Sequence, residues 1–333
     1  MESADLEGGG VFLRAGARPA TAEIVAFIDA HRERFGVEPI CRVLCEHGCK
    51  IAPNTNWVAK KRPPSARAVR DCELAVEVRR VFSEHLGVYG ADKVWAQLNR
   101  ESIRVARCTV ERLMRAEGLS GARRGKGFKV TTVPGDEALR PADLVERSFV
   151  APAPNRLWVA DLTYVKTHSG WVYMAFIIDV YSRFIVGWQA SRSLRSDLAI
   201  DALEMAVWNR QRDGADLSGL VHHSDRGVQY LSIRYSERLA ENHIVASVGS
   251  RGDSYDNALA ESFNGLYKWE LIHRQGPWRG LDDVEFATMT YVDWFNHRRL
   301  HGGITDDNNY TTPAEFEALY YRQPNPALEP VTQ

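Results

Sequence analysis

Residues 157–189 read LWVADLTYVKTHSGWVYMAFIIDVYSRFIVGWQ. The stretch divides into three β-prone runs, Leu157–Val165, Gly170–Asp179 and Arg183–Gln189. Each is rich in β-branched and aromatic residues, which suit a pleated, half-buried surface. The connections are only a few residues long, so the three runs predict an antiparallel meander. One residue breaks the pattern: Asp161 puts a carboxylate inside an otherwise apolar strand, Trp158-Val159-Ala160-Asp161-Leu162-Thr163-Tyr164.

Downstream, the spacing predicts a helix over Ser196–Arg212, a short buried strand over Leu220–Ser224, a helix over Ile233–Glu241 and a fifth strand over Ile244–Val248. Helices follow over Asp253–Ile272 and Asp282–Phe295. Three antiparallel strands followed by alternating helices and strands predict an α/β fold, a mixed five-stranded sheet flanked by helices in an RNase H-like order. This catalytic-core region is expected over residues 155–275, with a C-terminal helical segment and tail over 276–333.

Upstream of the sheet the pattern is all-α. Residues 1–22 lack apolar periodicity and read as a disordered N-terminus. In residues 23–62, Ile24, Val25, Phe27 and Ile28, then Phe35, Val37, Ile40, Val43 and Leu44, suggest two short helices. The run Lys60-Lys61-Arg62-Pro63-Pro64-Ser65 reads as a basic linker, because consecutive prolines interrupt a helix. Residues 63–130 carry helical spacing from Asp71 to His85, a turn at Gly87-Val88-Tyr89-Gly90, a helix over Ala91–Arg100, a turn over Ser102–Ala106 and a helix over Arg107–Glu117. Helix, short turn, helix is a helix-turn-helix outline. Arg107, Arg112 and Arg115 would then face nucleic acid; exposed arginines on an ordinary helical bundle give the same pattern. Arg123, Arg124 and Lys126 extend a basic strip. Residues 131–154 are Pro-rich and read as a linker.

The bulk numbers are ordinary for a globular chain: 333 residues, 44% hydrophobic and 26% charged. No apolar run reaches the roughly 20 residues of a membrane helix, and the start MESADLEGGG does not read as a signal peptide. A cytoplasmic protein is the expectation, without a membrane partner. The formal net charge of −1 conceals an asymmetry. Residues 51–135 hold 17 Lys and Arg against 8 Asp and Glu, whereas residues 136–333 hold 19 against 27. A basic segment of this kind neutralises phosphates and releases counterions. Cys41, Cys45 and Cys49 recur every fourth residue, but there is no Cys-x2-Cys pair, and they read as small helix residues rather than zinc ligands.

Three acids stand out. Asp161 lies in the first strand, Asp225 follows Val221-His222-His223-Ser224, and Glu261 lies in the helical stretch Asn257-Ala258-Leu259-Ala260-Glu261-Ser262-Phe263-Asn264. Neighbouring strands can set the two aspartates side by side, and a helix packed across the sheet can bring Glu261 to them. Clustered carboxylates raise one another's pKa values unless cations are present. Magnesium prefers oxygen ligands and binds through a few carboxylates together with substrate phosphates. Two such ions would activate a hydroxyl and stabilise a leaving oxygen in phosphoryl transfer.

The pieces WVADLTYV, HHSDRGVQY and DNALAESFNGLYKWELI resemble the retroviral-integrase-type catalytic core, and in particular the second reading frame of insertion-sequence-3 family transposases. Thirty-five residues separate Asp225 from Glu261, matching the family's Asp-Asp-35-Glu pattern. GVYGADKVWAQLNRE and RCTVERLMRAEGL resemble the family's helix-turn-helix; Trp294-Phe295-Asn296-His297-Arg298-Arg299-Leu300-His301 and Thr312-Pro313-Ala314-Glu315-Phe316 resemble its C-terminal signature. The resemblance covers roughly residues 23–320. It implies DNA cleavage and strand transfer at an element's ends. Asp161, Asp225 and Glu261 would be ligands of Mg2+ or Mn2+, two ions per site, and Lys268 a DNA contact. It also implies a first-frame protein, as fusion or partner, and a homo-oligomer. The further helix-turn-helix and coiled coil that the first frame supplies are not evident here, so the chain reads as the second-frame product alone.

Other residues invite a role. Asp179 could be a fourth ligand or, with Arg183, a turn stabiliser. His222 and His223 alternate in a strand, so one only can face the site; His223, two before Asp225, is the candidate neighbour. Trp269, Trp278 and Trp294 read as core. A plain helix N-cap by Asp253 or Ser254 explains the polar loop before the acidic helix as well as DNA contact does. Beside an active transposase stand two alternatives, a DNA-binding regulatory product without transposition activity and a structure-selective nuclease of RNase H type.

Overall fold

A computed structural model describes residues 19–122, 144–145, 149–225, 227, 229–230, 232–249, 258–304 and 309–322. Of the expected disorder over residues 1–22, residues 1–18 lie outside these residues, whereas Thr21 and Ala22 already begin a helix; the strip Arg123, Arg124 and Lys126 and the cap at Asp253 or Ser254 also lie outside them.

Five strands form one sheet: β1 Leu157–Thr167, β2 Gly170–Asp179, β3 Ile185–Ser191, β4 Val221–Ser224 and β5 Val245–Val248. Their order is β3-β2-β1-β4-β5. The meander β1-β2-β3 is antiparallel, whereas β1–β4 and β4–β5 are parallel. The fold is the mixed five-stranded sheet in RNase H-like order that the sequence predicts.

Successive side chains in a strand point to opposite faces. Leu157, Val159 and Val165 therefore join one core cluster, while Trp158 and Ala160 join another. The first cluster is closed by α9 (Ala258–Tyr267) and α11 (Leu281–His297), through Phe263, Tyr267, Tyr291 and Phe295. The second is closed by α7 (Ser196–Arg212) and α8 (Ile233–Glu241), through Leu203, Ala206 and Leu239. Helix α7 lies so close to β3 at Gly187 that an added Cβ there would stand 2.2 Å from the Ala202 carbonyl oxygen.

Strand lengths place the candidate site. β4 pairs with β1 only over Leu157–Ala160. From Asp161 onward β1 keeps β2 on one side, and no described strand pairs with its other edge.

The chain divides into two compact units, Met1–Glu73 and Leu74–Gln333. In the second, α4 (Ala66–Glu84, from Leu74 onward), α5 (Ala91–Arg100) and α6 (Arg107–Ala116) pack through Val78, Val94, Leu98, Val110 and Leu113 into the cluster that also holds the sheet's first face. The Tyr89 hydroxyl accepts a hydrogen bond from the Leu300 backbone N–H at 2.7 Å and donates to the Arg298 carbonyl at 3.1 Å. Trp294 Nε1 donates to His85 at 3.2 Å. Within the Pro-rich 131–154 region, Val145, Ala151 and Ala153 are buried. Helix α12 (Pro313–Arg322) is tied down by the buried ion pair of Glu317 with Arg210.

The first unit departs from expectation. Before α4 its described residues hold three helices rather than two: α1 Thr21–Phe35, α2 Val37–Glu46 and α3 Pro53–Lys61. Lys60 and Lys61, expected in a linker, end α3. The helix escaped notice because its sequence, PNTNWVAKK, has no apolar period and buries only Asn56. Cys41 and Cys49 are buried in this unit's apolar core. Cys45 bonds through its sulfur to the backbone of Ile51 at 3.3 Å.

Among the described residues no helix is long and apolar enough to cross a membrane.

Candidate active site

Parallel pairing of β1 with β4 sets Ala160 opposite Ser224. Asp161 and Asp225 are the next residues along each strand, so Asp161, within β1, stands beside the point where β4 ends and Asp225 follows. Helix α9 packs on this face and presents Glu261 in its first turn. One turn further on, Asn264 donates from Nδ2 to Asp161 Oδ2 at 2.9 Å. The other oxygen, Oδ1, accepts from the Leu162 N–H at 2.8 Å. Asp225 accepts from the Gly227 N–H at 3.0 Å.

Burial disfavours a charged carboxylate, and like charges add to the penalty. Asp161 shows both effects. Burial, then Asp225 and, more weakly, Glu261 push its pKa up to about 8, against the opposing hydrogen bonds from Leu162 and Asn264. Burial also raises Asp225, opposed by the Gly227 N–H and by His223. The three acids thus share one electrostatic environment. As they stand, no three His, Cys, Asp or Glu side chains among the described residues are close enough together to hold one ion. The donor set nonetheless fits a hard cation: the oxygens are carboxylate oxygens, and a divalent charge would offset the burial and the repulsion that raise Asp161. Asn264 Oδ1 is buried next to the acids and has no hydrogen-bond partner among the described residues.

Lys268 stands two turns beyond Glu261, as its spacing predicts, but at the start of a π-helical turn, Lys268–Ile272. Its ammonium lies 4.6 Å from the centre of the Tyr164 ring. Burial lowers its pKa and the charge of Asp161 raises it. The same turn carries Glu270, whose carboxylate is buried against Arg299 at 2.6 Å and Tyr291 at 2.9 Å. π turns of this kind recur at functional sites.

His222 and His223 point to opposite faces of the sheet. His222 faces the α7–α8 side and meets the Tyr235 hydroxyl at 3.0 Å. His223 faces the acid side, bonds Ser247 Oγ at 2.9 Å and interacts electrostatically with Asp225. Asp179 pairs in register with Trp158, three residues along the sheet from Asp161. Its carboxylate accepts from the backbone of Asn155 at 2.7 Å and of Ser182 at 3.0 Å. It therefore stabilises the β2–β3 turn, through these groups more than through Arg183, and is not a fourth member of the acid group. Trp278 and Trp294 are core, but Trp269 is 36% exposed and leans on His273, contrary to expectation.

Arg107, Arg112 and Arg115 are exposed on α6. Arg107 pairs with Asp92 at 3.1 Å, and Arg115 with Glu111 at 3.2 Å. Sequence reading missed Asn264. Its signal was present: a short amide three residues after Glu261, on the same helical face.

Comparison with known proteins agrees with this geometry. Residues 69–127 match a family described as "HTH-like domain", and residues 151–254 and 242–313 match two described as "Integrase core domain". Fold and site together define an integrase-core enzyme preceded by a helix-turn-helix-like region. The chain is 55% identical to the "Putative transposase for insertion sequence element IS986/IS6110" of Mycobacterium tuberculosis (strain ATCC 25177 / H37Ra), over 82% of this chain and 97% of that one. It is 32% identical to "Transposase InsF for insertion sequence IS3A" of Escherichia coli (strain K12), over 87% and 97%. A solved structure of the HTLV-2 integrase catalytic core domain in complex with magnesium aligns with 50% of this chain and 99% of that one, at 18% identity and a TM-score of 0.38. The chain belongs to the IS3 family of insertion-sequence transposases.

Proposed function

We propose that Asp161, Asp225 and Glu261 hold divalent metal, Mg2+ or Mn2+ and two ions per site, and that the chain cuts an insertion element's ends and transfers them to target DNA. The observation that carries this is the juxtaposition of Asp161 within β1, Asp225 just past the adjacent β4 and Glu261 in the first turn of α9, with burial and the charges of Asp225 and Glu261 raising Asp161. The ions would supply Lewis-acid activation of the attacking oxygen and stabilise the leaving one. The protein's own part is positioning. Asn264 and the Leu162 N–H fix the Asp161 carboxylate. The Gly227 N–H fixes Asp225, and His223 lies beside it. Lys268 acts as a point charge for a DNA phosphate. Arg107, Arg112 and Arg115 contact DNA away from the cut. Arg123, Arg124 and Lys126 extend that basic path. The partners are DNA, a first-frame protein as fusion or partner, and further copies of this chain.

The test is Glu261→Gln in the chain joined to its upstream partner. Cleavage of a labelled element end in Mg2+ should fall at least about 100-fold while end binding persists. Wild-type rates in this variant would rule the acidic site out. A parallel arm uses Lys268→Ala, which should weaken processing at limiting DNA and leave Mg2+ binding unchanged. Lys268→Arg should recover part of the activity, since charge and reach are kept.

A further inference from the structure

The first unit is a helix-turn-helix in its own right. Helix α1 closes over α2 and α3 through Ile24, Ile28, Ile40, Leu44 and Ile51. Helix α2 stops because Gly48 takes φ +89, a conformation that side chains rarely adopt, and the Cys49 N–H turns back to the Leu44 carbonyl at 2.8 Å. The Cys45 sulfur then pins Ile51, and Pro53 starts α3 at the position where a missing N–H costs nothing.

Helix α3 presents an unusual surface. Asn54, Thr55, Val58, Lys61 and Arg62 follow helical spacing along one side, and all are exposed. Trp57 and Val58 are 50% and 53% exposed. Asn54, Trp57, Val58, Lys61 and Arg62 line one surface depression. Along the chain the charge there has a single sign, although in space Lys60 pairs with Asp29 of α1. From His47 to Arg70 the sequence has six lysines and arginines and no Asp or Glu. The helix-turn-helix-like family match begins only at residue 69, so this surface lies before it.

We propose that α3 is a second DNA-reading helix, which enters the major groove and adds its own half-site to that of α5–α6. The major groove admits an α-helix. In helix-turn-helix proteins the N-terminal residues of the second helix meet base edges. On α3 these are Asn54, whose amide matches adenine, and Thr55, whose methyl matches thymine. Lys61 and Arg62 at its end meet phosphates. A protein partner would use the exposed Trp57 and Val58, but it would face the exposed Lys61 and Arg62 beside them, in a stretch that supplies no acid of its own and only Asp29 against Lys60. The inference rests on DNA being the substrate of this family, and is independent of the three carboxylates.

The experiment uses the full chain and duplex DNA from an element end. Footprinting should show two separate protected tracts. Lys61→Gln with Arg62→Gln, exposed positions whose change leaves the unit's core untouched, should erase one tract and leave the other. It should also lower the slope of log affinity against log salt by about 2. Arg107→Ala, Arg112→Ala and Arg115→Ala together should erase the other tract. Asn54→Ala should relax base preference within the first tract at unchanged salt slope. An unaltered footprint and slope in the Lys61/Arg62 variant would overturn the proposal. So would loss of binding to a first-frame protein or to a second copy with the footprint intact, which would make α3 a protein-docking surface. Should this variant behave as wild type while Glu261→Gln abolishes cleavage, only the α3 inference fails.

Discussion

At Asp161 one side chain carries two opposed demands. Its usual pKa of 3.8 is raised to about 8 by burial and by its acidic neighbours. Below about pH 4 the carboxyl is protonated in folded and unfolded chain alike. Between about 4 and 8 the unfolded chain has released this proton and the fold retains it, so raising pH through that window draws the metal-free protein toward unfolding. Asp161→Asn removes the charge and keeps the shape, and Asn264 can still meet an amide oxygen. We expect it to stabilise the metal-free chain by about 1–2 kcal/mol at pH 8, with a much smaller difference at pH 4, and to abolish cleavage. Denaturant midpoints across this range test the point. Wild-type and variant curves that run parallel from pH 4 to 8 would refute the electrostatic account.

Elements meet most closely where β3 passes under α7. Gly187 is needed there for room rather than for backbone freedom: an added Cβ would press on the Ala202 carbonyl oxygen and stand 2.8 Å from the Ala206 Cβ. Both are small residues on a helix packed flat against the strand. Gly187→Ala must push α7 outward or bend β3, and overpacking of this kind costs about 1–3 kcal/mol. Urea denaturation should show that loss, with cleavage little affected, because Asp161 lies on β1, Asp225 just past β4 and Glu261 on α9. An undiminished midpoint would mean that the helix lifts freely. The active-site helix shows the converse: α9 runs into a π turn just as it reaches Lys268, and the turn is locked by Glu270 against Arg299 and Tyr291.

Across the whole molecule, the helices α4–α6 are not appended to the core by side-chain contact alone. Tyr89 completes the backbone of the C-terminal segment by bonding Leu300 and Arg298, and Arg100 pairs with Glu315 on α12. Tyr89→Phe keeps the ring but leaves the buried Leu300 N–H without its acceptor. That should cost about 1–3 kcal/mol and speed amide exchange at residues 298–301 and in α5. Unchanged exchange at these amides would show that the two regions are held by the apolar cluster alone.

The sequence by itself determined the strands and most of the helices, because period-two and helical spacing are local and survive in the one-dimensional pattern. β2, α7 and α8 run where that spacing puts them, and the parity of His222 and His223 follows from one alternation. Asp161 was legible as a candidate too, since a carboxylate inside the apolar run of β1 is conspicuous. Only the tertiary structure decided what lies beside what. Parallel pairing of β1 with β4 joins residues more than 60 positions apart and leaves no local trace. The bond from Asn264 to Asp161, the turn-capping by Asp179 and the exposure of Trp269 depend on packing between elements. α3 was missed for the same reason, since its amphipathic period is hidden: the face that meets the core is a single asparagine, and the rest is solvent-exposed.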